Sequence, residues 1–547
     1  MNPLIPAWNK SAHTETLLRS STAQFPSGKA SVHLLELFVR PIAAGVLCIL
    51  IGTLSASTYG QGFYLQVPQP PKIPNATFKV TSYGGVGDGR TMNTEAFRKA
   101  IEACTKAGGG NVIVTSGTFV SGPIKLASKM ALVVEKDAVI LASSKFSDFG
   151  LPDPLPTNQA ELTRLKAEEQ QLISGSKLTD VAIRGEGKID GSGAYWWAKS
   201  DIASQRGLKG IPTIPGASPE EKPSPAPSPE TQSTPLDQTA SSDPSKKDVP
   251  VVPTPQLTKP LYVPRPHLIM LKDCERVQIQ GVTLLNSPMF HLVPSRCREV
   301  LIEDVKIITP SNAPNTDGID PGNCDKVLIR RCYIDTGDDN IALKGGGSGG
   351  APPMQNITIT DCKFGHGHGV SIGSETNAGV RNLLVQKCTF ENTDNALRIK
   401  SDRNRGGLVE NVLYRDITMK NVGFPITIFL FYDDKKTALT PELKPVSPTT
   451  PKVRNVHFLN ITCEGASRKA IELAGLPESP ITDVQLENIR VAGAEVPMSV
   501  QDTRNLQMKN VEISTPSTSA TADTNVQPKP SVAGSPAGKP SKVMSEE

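Results

Sequence analysis

A four-residue pattern recurs along the chain from residue 180 onward and constrains its fold more than any other feature. It consists of a polar residue, an apolar residue that is usually branched, any residue, and usually a second apolar residue. The first apolar position, the anchor, is occupied by Val181, Val277, Val300, Val327, Ile357, Leu383, Val412, Val456, Val484 and Leu506. From Val277 the anchors follow one another after 23, 27, 30, 26, 29, 44, 28 and 22 residues. A period in the twenties, with short alternating strands and no helix between them, is typical of a parallel β-solenoid with one coil per repeat.

The cysteines keep the same step as the anchors. One set lies three residues before its anchor and a second set lies five residues after it: Cys274, Cys297 and Cys324, and then Cys332, Cys362 and Cys388. On stacked coils each set forms a ladder inside the solenoid, so we expect small buried residues rather than disulfides. None of the nine cysteines belongs to a Cys-x-x-Cys pair, which leaves a zinc site without support. We expect no metal site and no cofactor.

The folded part begins before the repeat. Thr94 is a suitable N-cap for a helix, and short β-rich segments follow it. The apolar stripe of this helix consists of Phe97, Ala100, Ile101 and Cys104. The sequence therefore predicts an all-β domain over residues 77–513, a β-solenoid with an N-terminal capping helix.

Three segments do not fit the repeat. Residues 202–260 and 514–547 are rich in small and polar residues and in proline and nearly lack large apolar side chains, so both are predicted to be disordered. The long step between Val412 and Val456 contains a further insertion, predicted as a loop over about 435–452.

Residues 1–60 have the order of a leader with a signal peptide. Arg40 precedes an apolar run over residues 41–54, and small residues follow it. The run is shorter than the about 20 residues of an ordinary membrane span, so a secreted or periplasmic protein is expected, with a retained anchor as the alternative. A Pro-rich spacer over residues 61–76 joins the leader to the domain.

The charges nearly cancel, with 58 Lys and Arg against 54 Asp and Glu. Bulk electrostatics therefore gives no indication of a nucleic-acid partner. We expect a monomer without a stable membrane span.

Four short segments on consecutive coils align on their apolar residues: 315–320, 337–342, 367–372 and 395–400. The aligned apolar column is Ile319, Ile341, Val370 and Leu397. Two positions earlier stand Asp317, Asp339, His368 and Asn395, and one position later stand Asp320, Ala342, Ser371 and Arg398. Because parallel strands are about 4.8 Å apart, we expect these segments to place their polar side chains on one face of the solenoid.

Three carboxylates fall together on that face: Asp317, Asp338 and Asp339. Like charges this close are costly unless one carboxyl group holds a proton, and a carboxyl group protonated near neutrality is a general acid. Single Asn-Thr-Asp-Gly or Gly-Asp-Asp-Asn segments are usually polar turns, but their crowding on adjacent coils favours a catalytic group. Arg398 and Lys400 are expected two coils above the acids, at a height of about 10 Å.

Residues 78–513, apart from the insertions, resemble family 28 of the glycoside hydrolases, the polygalacturonases and their relatives. The motifs that carry the resemblance stand in family order: Asn315-Thr316-Asp317, Asp338-Asp339, Gly367-His368-Gly369 and Arg398-Ile399-Lys400. The resemblance implies a right-handed single-stranded parallel β-helix and inverting hydrolysis of an α-linked galacturonide in pectin. The chain departs from the family pattern at Asn340, where relatives often carry cysteine, and at Phe290, where many have tryptophan.

By match of motif, Asp338 would be the general acid that protonates the glycosidic oxygen, supported by a hydrogen bond from His368. Asp317 and Asp339 would hold and deprotonate the attacking water, for which inverting enzymes leave roughly 6.5–9.5 Å between the two carboxyl groups. The substrate-binding residues implied by the match are Arg398, Lys400, Asn315 and Tyr432, the two cations suiting a sugar carboxylate. His366 has no counterpart in the motifs and is expected to be structural.

Other functions stay open at this point. The pectic backbone could be homogalacturonan, xylogalacturonan or a rhamnose-containing chain, and cleavage could be endo or exo. A calcium-dependent pectate lyase would share the solenoid, but it would need a carboxylate cage for the metal and a basic proton acceptor. A non-catalytic sugar-binding solenoid would tolerate the loss of one acid, and none is lost.

Overall fold

The computed structural model describes residues 67–153, 155–156, 158–165, 171–197, 263–347 and 350–516. The predicted leader, the insertion 202–260 and the tail beyond residue 516 lie outside the described residues, so the predictions for them stay predictions. Within the described ranges, no helix combines the length and the apolar character that crossing a membrane requires.

The strands stack in parallel on three faces, and the fold is the parallel β-helix that the repeat predicted. The first face consists of strands Thr77–Lys79, Gly110–Val114, Met130–Val134, Thr179–Gly185, Glu275–Gln280, Arg298–Glu303, Asp325–Arg330, Met354–Thr360, Val380–Gln386, Leu408–Lys420, Lys452–Glu464, Ile481–Ala492 and Thr503–Ser514. The second face consists of Asp88–Met92, Gly117–Ser121, Ala138–Ala142, Lys188–Asp190, Thr283–Leu285, Lys306–Ile308, Tyr333–Asp335, Lys363–Phe364 and Thr389–Glu391. It continues into the second halves of the long strands that follow.

The third face carries the polar columns, and we call it the site face. Its strands are Ile124–Lys125, Ile173–Ser176, Ile269–Lys272, Leu292–Ser295, Ile341–Leu343, Val370–Ile372, Asn395–Lys400, Phe424–Phe429, Lys469–Ala474 and Val496–Gln501. Single bridges at Ile319, to Leu292 below and Ile341 above, join the earlier and later strands of this face. The site face is therefore continuous from coil to coil.

The anchors of the repeat pair with one another in register along the first face. Each anchor from Val181 to Leu506 is the direct partner of the next one. Their side chains are buried, except that of Leu506 in the last coil, which is partly buried. The predicted stacking is confirmed.

The backbone conformation explains why the residue before each anchor is polar. It adopts a left-handed conformation, with φ between 52° for Asn505 and 59° for Asp180 and Asn382. Asn and Asp tolerate this region better than most residues because their side chains hydrogen-bond locally. In the middle coils the amides also bond up the stack, with Asn382 Nδ2 donating to Asn356 Oδ1 at 3.0 Å and Asn411 Nδ2 to Asn382 Oδ1 at 3.1 Å.

The cysteines form the predicted ladders inside the core. All cysteines in the described ranges are free and buried, among them Cys274, Cys297 and Cys324 on one ladder. On the other ladder the thiols of Cys332, Cys362 and Cys388 each donate to the backbone carbonyl two residues earlier, at 3.4, 3.3 and 3.2 Å. Their role as small packing residues is confirmed.

The capping helix spans Thr94–Lys106 and buries the predicted stripe. Its N-cap is Asn93, so the prediction of Thr94 as N-cap was wrong by one position. The Thr94 hydroxyl instead accepts a bond from the Gly122 N–H at 2.8 Å. The other short helices are Gln159–Arg164 and Gly193–Trp197, with 3-10 turns at Val80–Tyr83 and Phe146–Phe149.

Two connecting segments lie outside the regular strands and helices. The chain between Phe424–Phe429 and Lys452–Glu464 has no regular strand or helix, in keeping with the predicted loop. The described end of the Pro-rich segment lies on the first face. There the Gln69 N–H donates to Glu299 Oε2 at 2.9 Å, and the Lys72 N–H donates to Asp180 Oδ1 at 2.8 Å.

Candidate active site

The site face brings the four sequence segments together as the alignment predicted. Ile319, Ile341, Val370 and Leu397 are successive partners across the coils. One position later, Ala342 pairs with Ser371 and Ser371 with Arg398. The register therefore fixes which side chains share the face, and the side-chain directions decide which of them touch.

Asp338 and His368 are in direct contact. His368 Nδ1 lies 3.1 Å from Asp338 Oδ1, and the Asp339 N–H donates to the same carboxylate oxygen at 3.0 Å. The His368 N–H also donates to the Asp338 carbonyl at 3.0 Å, which ties the two turns together. Both side chains remain partly exposed, so a bound molecule can reach them.

Asp339 is buried and held by groups from the coils above it. Lys400 Nζ lies 2.5 Å from its Oδ2, Arg398 Nη1 lies 3.4 Å from its Oδ1, and the Ser371 hydroxyl donates to Oδ1 at 2.9 Å. The register confirms that Arg398 belongs two coils above. The expected height of about 10 Å between cations and acids was nevertheless wrong, because both long side chains bend down onto Asp339.

Asp317 is buried, as Asp339 is. Burial raises the pKa of Asp317 well above its usual range, and the charges of Asp320 and Asp338 add to the effect. Burial and the neighbouring carboxylates therefore both disfavour the charged form of Asp317.

His291 supports Asp317 from behind. The His291 N–H donates to the Asp317 carbonyl at 2.8 Å, and the imidazole Nδ1 lies 3.0 Å from the same oxygen. The Ser287 N–H donates to Nε2 at 3.2 Å, so Nε2 is the acceptor and Nδ1 the donor. This side chain is completely buried, and burial lowers the pKa of His291 to about 4.

Asp320 and Lys344 form an ion pair beside the acids. Lys344 Nζ lies 2.9 Å from Asp320 Oδ2 and 4.3 Å from the centre of the Phe290 ring. Burial raises the pKa of Asp320 to about 6, although Lys344 acts in the opposite direction. Burial lowers the pKa of Lys344, but the charges of Asp320 and Asp317 outweigh it and the pKa is raised.

Asn340 ties the turn of Asp338 and Asp339 to the turn of His368. Its Nδ2 donates to the His366 carbonyl at 2.8 Å, and its Oδ1 accepts from the Gly369 N–H at 2.8 Å. The His366 side chain is exposed, and its Nδ1 lies 3.0 Å from Asp335 Oδ1. The Asn340 and His366 side chains therefore stabilise the turns that carry the acids and His368.

The remaining predicted substrate-binding residues lie around this group. Tyr432 places its ring 5.7 Å from the Arg398 guanidinium and 5.3 Å from Lys400 Nζ. The Asn315 Oδ1 accepts from Arg265 Nη2 at 2.8 Å, so its amide is partly committed to the protein. The roles assigned to these residues stay predictions.

The acid group also has donor atoms close enough for a cation. In the described part of the chain, ligand atoms of Asp338, Asp339 and His368 lie within 4.8 Å of one another. Two cationic side chains already balance the charge of Asp339, which disfavours a second, metallic positive charge at the same carboxylate. The arrangement suits acid–base chemistry with donors from the protein itself.

Sequence reasoning missed several contributors to the site: Lys344, Asp320, His291 and Arg265. Asp320 stood in an aligned column, so the alignment could have flagged it. Lys344 follows strand Ile341–Leu343 with the side-chain direction of the site face, but its spacing gives no sign of its partner. Arg265 and His291 belong to segments without a repeat signal at those positions.

Comparison with known proteins agrees with this geometry. A family model described as glycosyl hydrolases family 28 matches residues 263–527. The chain is 28% identical over 423 residues to a probable polygalacturonase of Vitis vinifera, covering 75% of this chain and 73% of that protein. It is 29% identical over 425 residues to an endo-polygalacturonase of Pectobacterium carotovorum subsp. carotovorum, covering 75% and 88% of the two chains.

A solved structure leads to the same family. The hyperthermoactive exopolygalacturonase from Thermotoga maritima superposes with a TM-score of 0.62 at 27% identity, over 82% of this chain and 94% of that one. The likeness confirms the predicted right-handed parallel β-helix. The fold, the ordered motifs on its site face and these similarities lead to one conclusion: the chain belongs to family 28 of the glycosyl hydrolases.

Proposed function

We propose that this glycoside hydrolase cleaves α-1,4-galacturonosyl linkages of pectin by an inverting general acid/base mechanism. The observation that carries the proposal is the contact of Asp338 with His368 at 3.1 Å, beside an Asp339 whose charge Lys400 and Arg398 balance. Relatives named endo-polygalacturonase and exopolygalacturonase support the substrate class.

Asp338 is the proton donor in this mechanism. It is the more accessible member of the Asp338–Asp339 pair, with 16% of its side chain exposed against 3% for Asp339. His368 and the Asp339 N–H orient its carboxyl group, so the acidic proton can be directed at the glycosidic oxygen. As the carbon–oxygen bond breaks, that oxygen takes the proton and leaves as a hydroxyl group.

Asp317 and Asp339 hold and deprotonate the attacking water. The water attacks the anomeric carbon from the side opposite the leaving group, which inverts the configuration. Two cations and the Ser371 hydroxyl keep Asp339 in a fixed position, and His291 fixes the backbone of Asp317. A base held this way needs little reorganisation when the proton is transferred.

Arg398, Tyr432 and Asn315 are the proposed contacts to the sugar. Arg398 is less committed to Asp339 than Lys400 is, since it stands at 3.4 Å rather than 2.5 Å. Lys400 therefore acts mainly on Asp339, and Arg398 remains able to share a carboxylate of the substrate.

We also propose that the protein is exported, on the strength of Arg40 and the apolar run over residues 41–54. A xylogalacturonan or rhamnogalacturonan backbone is the alternative substrate, and contacts at the sugar subsites decide between these.

The experiment is to incubate the protein with polygalacturonate and follow product size and anomeric form by proton NMR. Early product should be the β-anomer with a new reducing end. An initial α-anomer would overturn the roles given to the acids. A product absorbing in the ultraviolet would indicate a lyase, and the absence of products a binding protein.

Two variants sharpen this test. Asp338→Asn should lower kcat by about 10²–10⁴-fold, the usual contribution of a general acid. His366→Gln is the matched control, because His366 lies two residues from His368 but pairs with Asp335 away from the acids. It should leave kcat and the anomeric form unchanged.

A further inference from the structure

Lys344 is a cation of the site face that the mechanism leaves unused. It follows strand Ile341–Leu343 and lies five residues after Asp339. It pairs with Asp320 and lies over the Phe290 ring. The proposed mechanism gives it no part in proton transfer.

Lys344, Arg398 and Lys400 differ in their exposure to solvent, and this difference determines which of them can reach a bound anion. The side chain of Lys344 is 25% exposed, whereas Arg398 is 14% and Lys400 is 7% exposed. An ammonium group has three donors, and Asp320 at 2.9 Å accounts for one of them. Lys344 is thus the cation of this set that can best donate to a bound anion.

The surroundings of Lys344 hold it in place before any ligand binds. Phe290 stacks on His267, with ring centres 4.9 Å apart and an angle of 23° between the planes, and presents its ring to the ammonium group. Asp320 fixes the same group from below and is almost fully buried. Since a free lysine loses about 2 kcal/mol of rotamer entropy on being ordered, a lysine held beforehand binds an anion more tightly.

The register places Lys344 apart from the other cations. Leu343 pairs with Ile372 and Ile372 with Ile399, so Lys344 and Lys400 occupy the same column two coils apart. The charged ends are closer than two coils, because Lys400 and Arg398 end on Asp339 and Lys344 ends on Asp320, one coil of about 4.8 Å toward the N-terminus. A sugar chain lying along the stack would therefore meet Lys344 and Arg398 at neighbouring sugar units.

We propose that Lys344 binds the carboxylate of a second uronate unit, on the side of the acids toward the N-terminal coils. This inference rests on the proposed function, because it takes the substrate to be a polyuronate. Lys344 is then a specificity residue: it selects chains whose carboxylates are free rather than methyl-esterified. Asp320 and Phe290 position it.

The test compares free with methyl-esterified oligogalacturonides, using kcat/KM for each variant. Lys344→Gln should reduce the preference for the free acid by about tenfold or more, mainly through KM, since a charged contact is lost. Lys344→Arg should keep most of the preference. The control Lys326→Gln removes a lysine that pairs with Glu299 at 2.8 Å on the first face and should behave as the wild type.

Asp320→Asn separates a substrate contact from a structural ion pair. Because the lysine keeps its charge but loses a positioning partner, this variant should retain a preference for the free acid that is smaller than that of the wild type and larger than that of Lys344→Gln. If Lys344→Gln harms both substrates equally, the pair is structural and the proposal is overturned.

A binding measurement makes the outcome independent of catalysis. In an Asp338→Asn background, calorimetric titration with trigalacturonate should show weaker binding when Lys344→Gln is added, and an unchanged affinity would contradict the proposal. Failure of the wild type to cleave polygalacturonate would count against the proposed function alone, since the titration still reads the carboxylate contact.

Discussion

Replacing Lys400 by methionine tests how the charge of Asp339 is held. Both side chains of this pair are nearly inaccessible, with 7% of Lys400 and 3% of Asp339 exposed, and their charged atoms are 2.5 Å apart. Removing one member of a buried pair typically costs about 3–5 kcal/mol, because the other charge stays buried without its partner. Arg398 at 3.4 Å and the Ser371 hydroxyl at 2.9 Å still stabilise Asp339, which puts the expected loss near the lower end.

We therefore expect Lys400→Met to lower the free energy of unfolding by about 3 kcal/mol, which changes the unfolding equilibrium by about 150-fold. Urea unfolding followed by circular dichroism measures this difference. The matched control is Lys326→Met, whose pair with Glu299 is one-third exposed at the lysine, and which should lose about 0.5 kcal/mol.

The double variant Asp339→Asn/Lys400→Met provides the decisive comparison. It removes both charges, so it should be more stable than Lys400→Met alone. If Lys400→Met is no less stable than Lys326→Met, or if the double variant recovers nothing, then the ion pair does not carry the charge of Asp339 as described. Activity should fall on free and esterified substrates alike, because the lysine acts on the protein's own carboxylate.

The remaining predictions concern buried groups. His291 has a folded pKa of about 4 against about 6.5 unfolded, so the unfolded chain takes up its proton first as the pH falls. Stability is thus lost from pH 6.5 downward, by about 2 kcal/mol between pH 7 and pH 5, and this loss should be absent in His291→Gln. Equal pH dependence of the two proteins in urea unfolding would contradict the assignment. In Cys48→Ser protein, the buried cysteines should react with Ellman's reagent only on unfolding, since burial raises the pKa of Cys463, for example, to about 12. Rapid labelling of the native protein would show that the thiol ladders open to solvent.

The fold could be predicted because its signal repeats. Each anchor from Val277 to Val484 has the same local pattern, a left-handed polar residue followed by a buried apolar one, and this pattern is repeated over many stacked coils. A feature that occurs once in the chain, such as a helix start, is not supported by repetition in this way. The helix start was misplaced for this reason: Asn93 and Thr94 are both residue types that cap helices, and no repeat decides between them.

The sequence predicted which residues form the candidate site, but it did not predict which of them touch. Strand alternation gives the face on which Arg398 and Lys400 lie, but it says nothing about where a four-carbon side chain ends. Their bend onto Asp339 follows from the electrostatic attraction of a buried carboxylate. Lys344 and Asp320 likewise pair across coils, and such a pairing emerges only once the coils are stacked.

The Pro-rich segment on the first face changes how the beginning of this stack opens. Gln69 and Lys72 bond to Glu299 and Asp180, whose coils are separated by the coil of Val277. In a solenoid each repeat otherwise touches only its neighbours, so that terminal repeats fray one at a time. Here the segment before the first strand links two coils that are not neighbours. The coils of Val181 and Val300 are therefore coupled by more than nearest-neighbour stacking, by about 1 kcal/mol for each hydrogen bond.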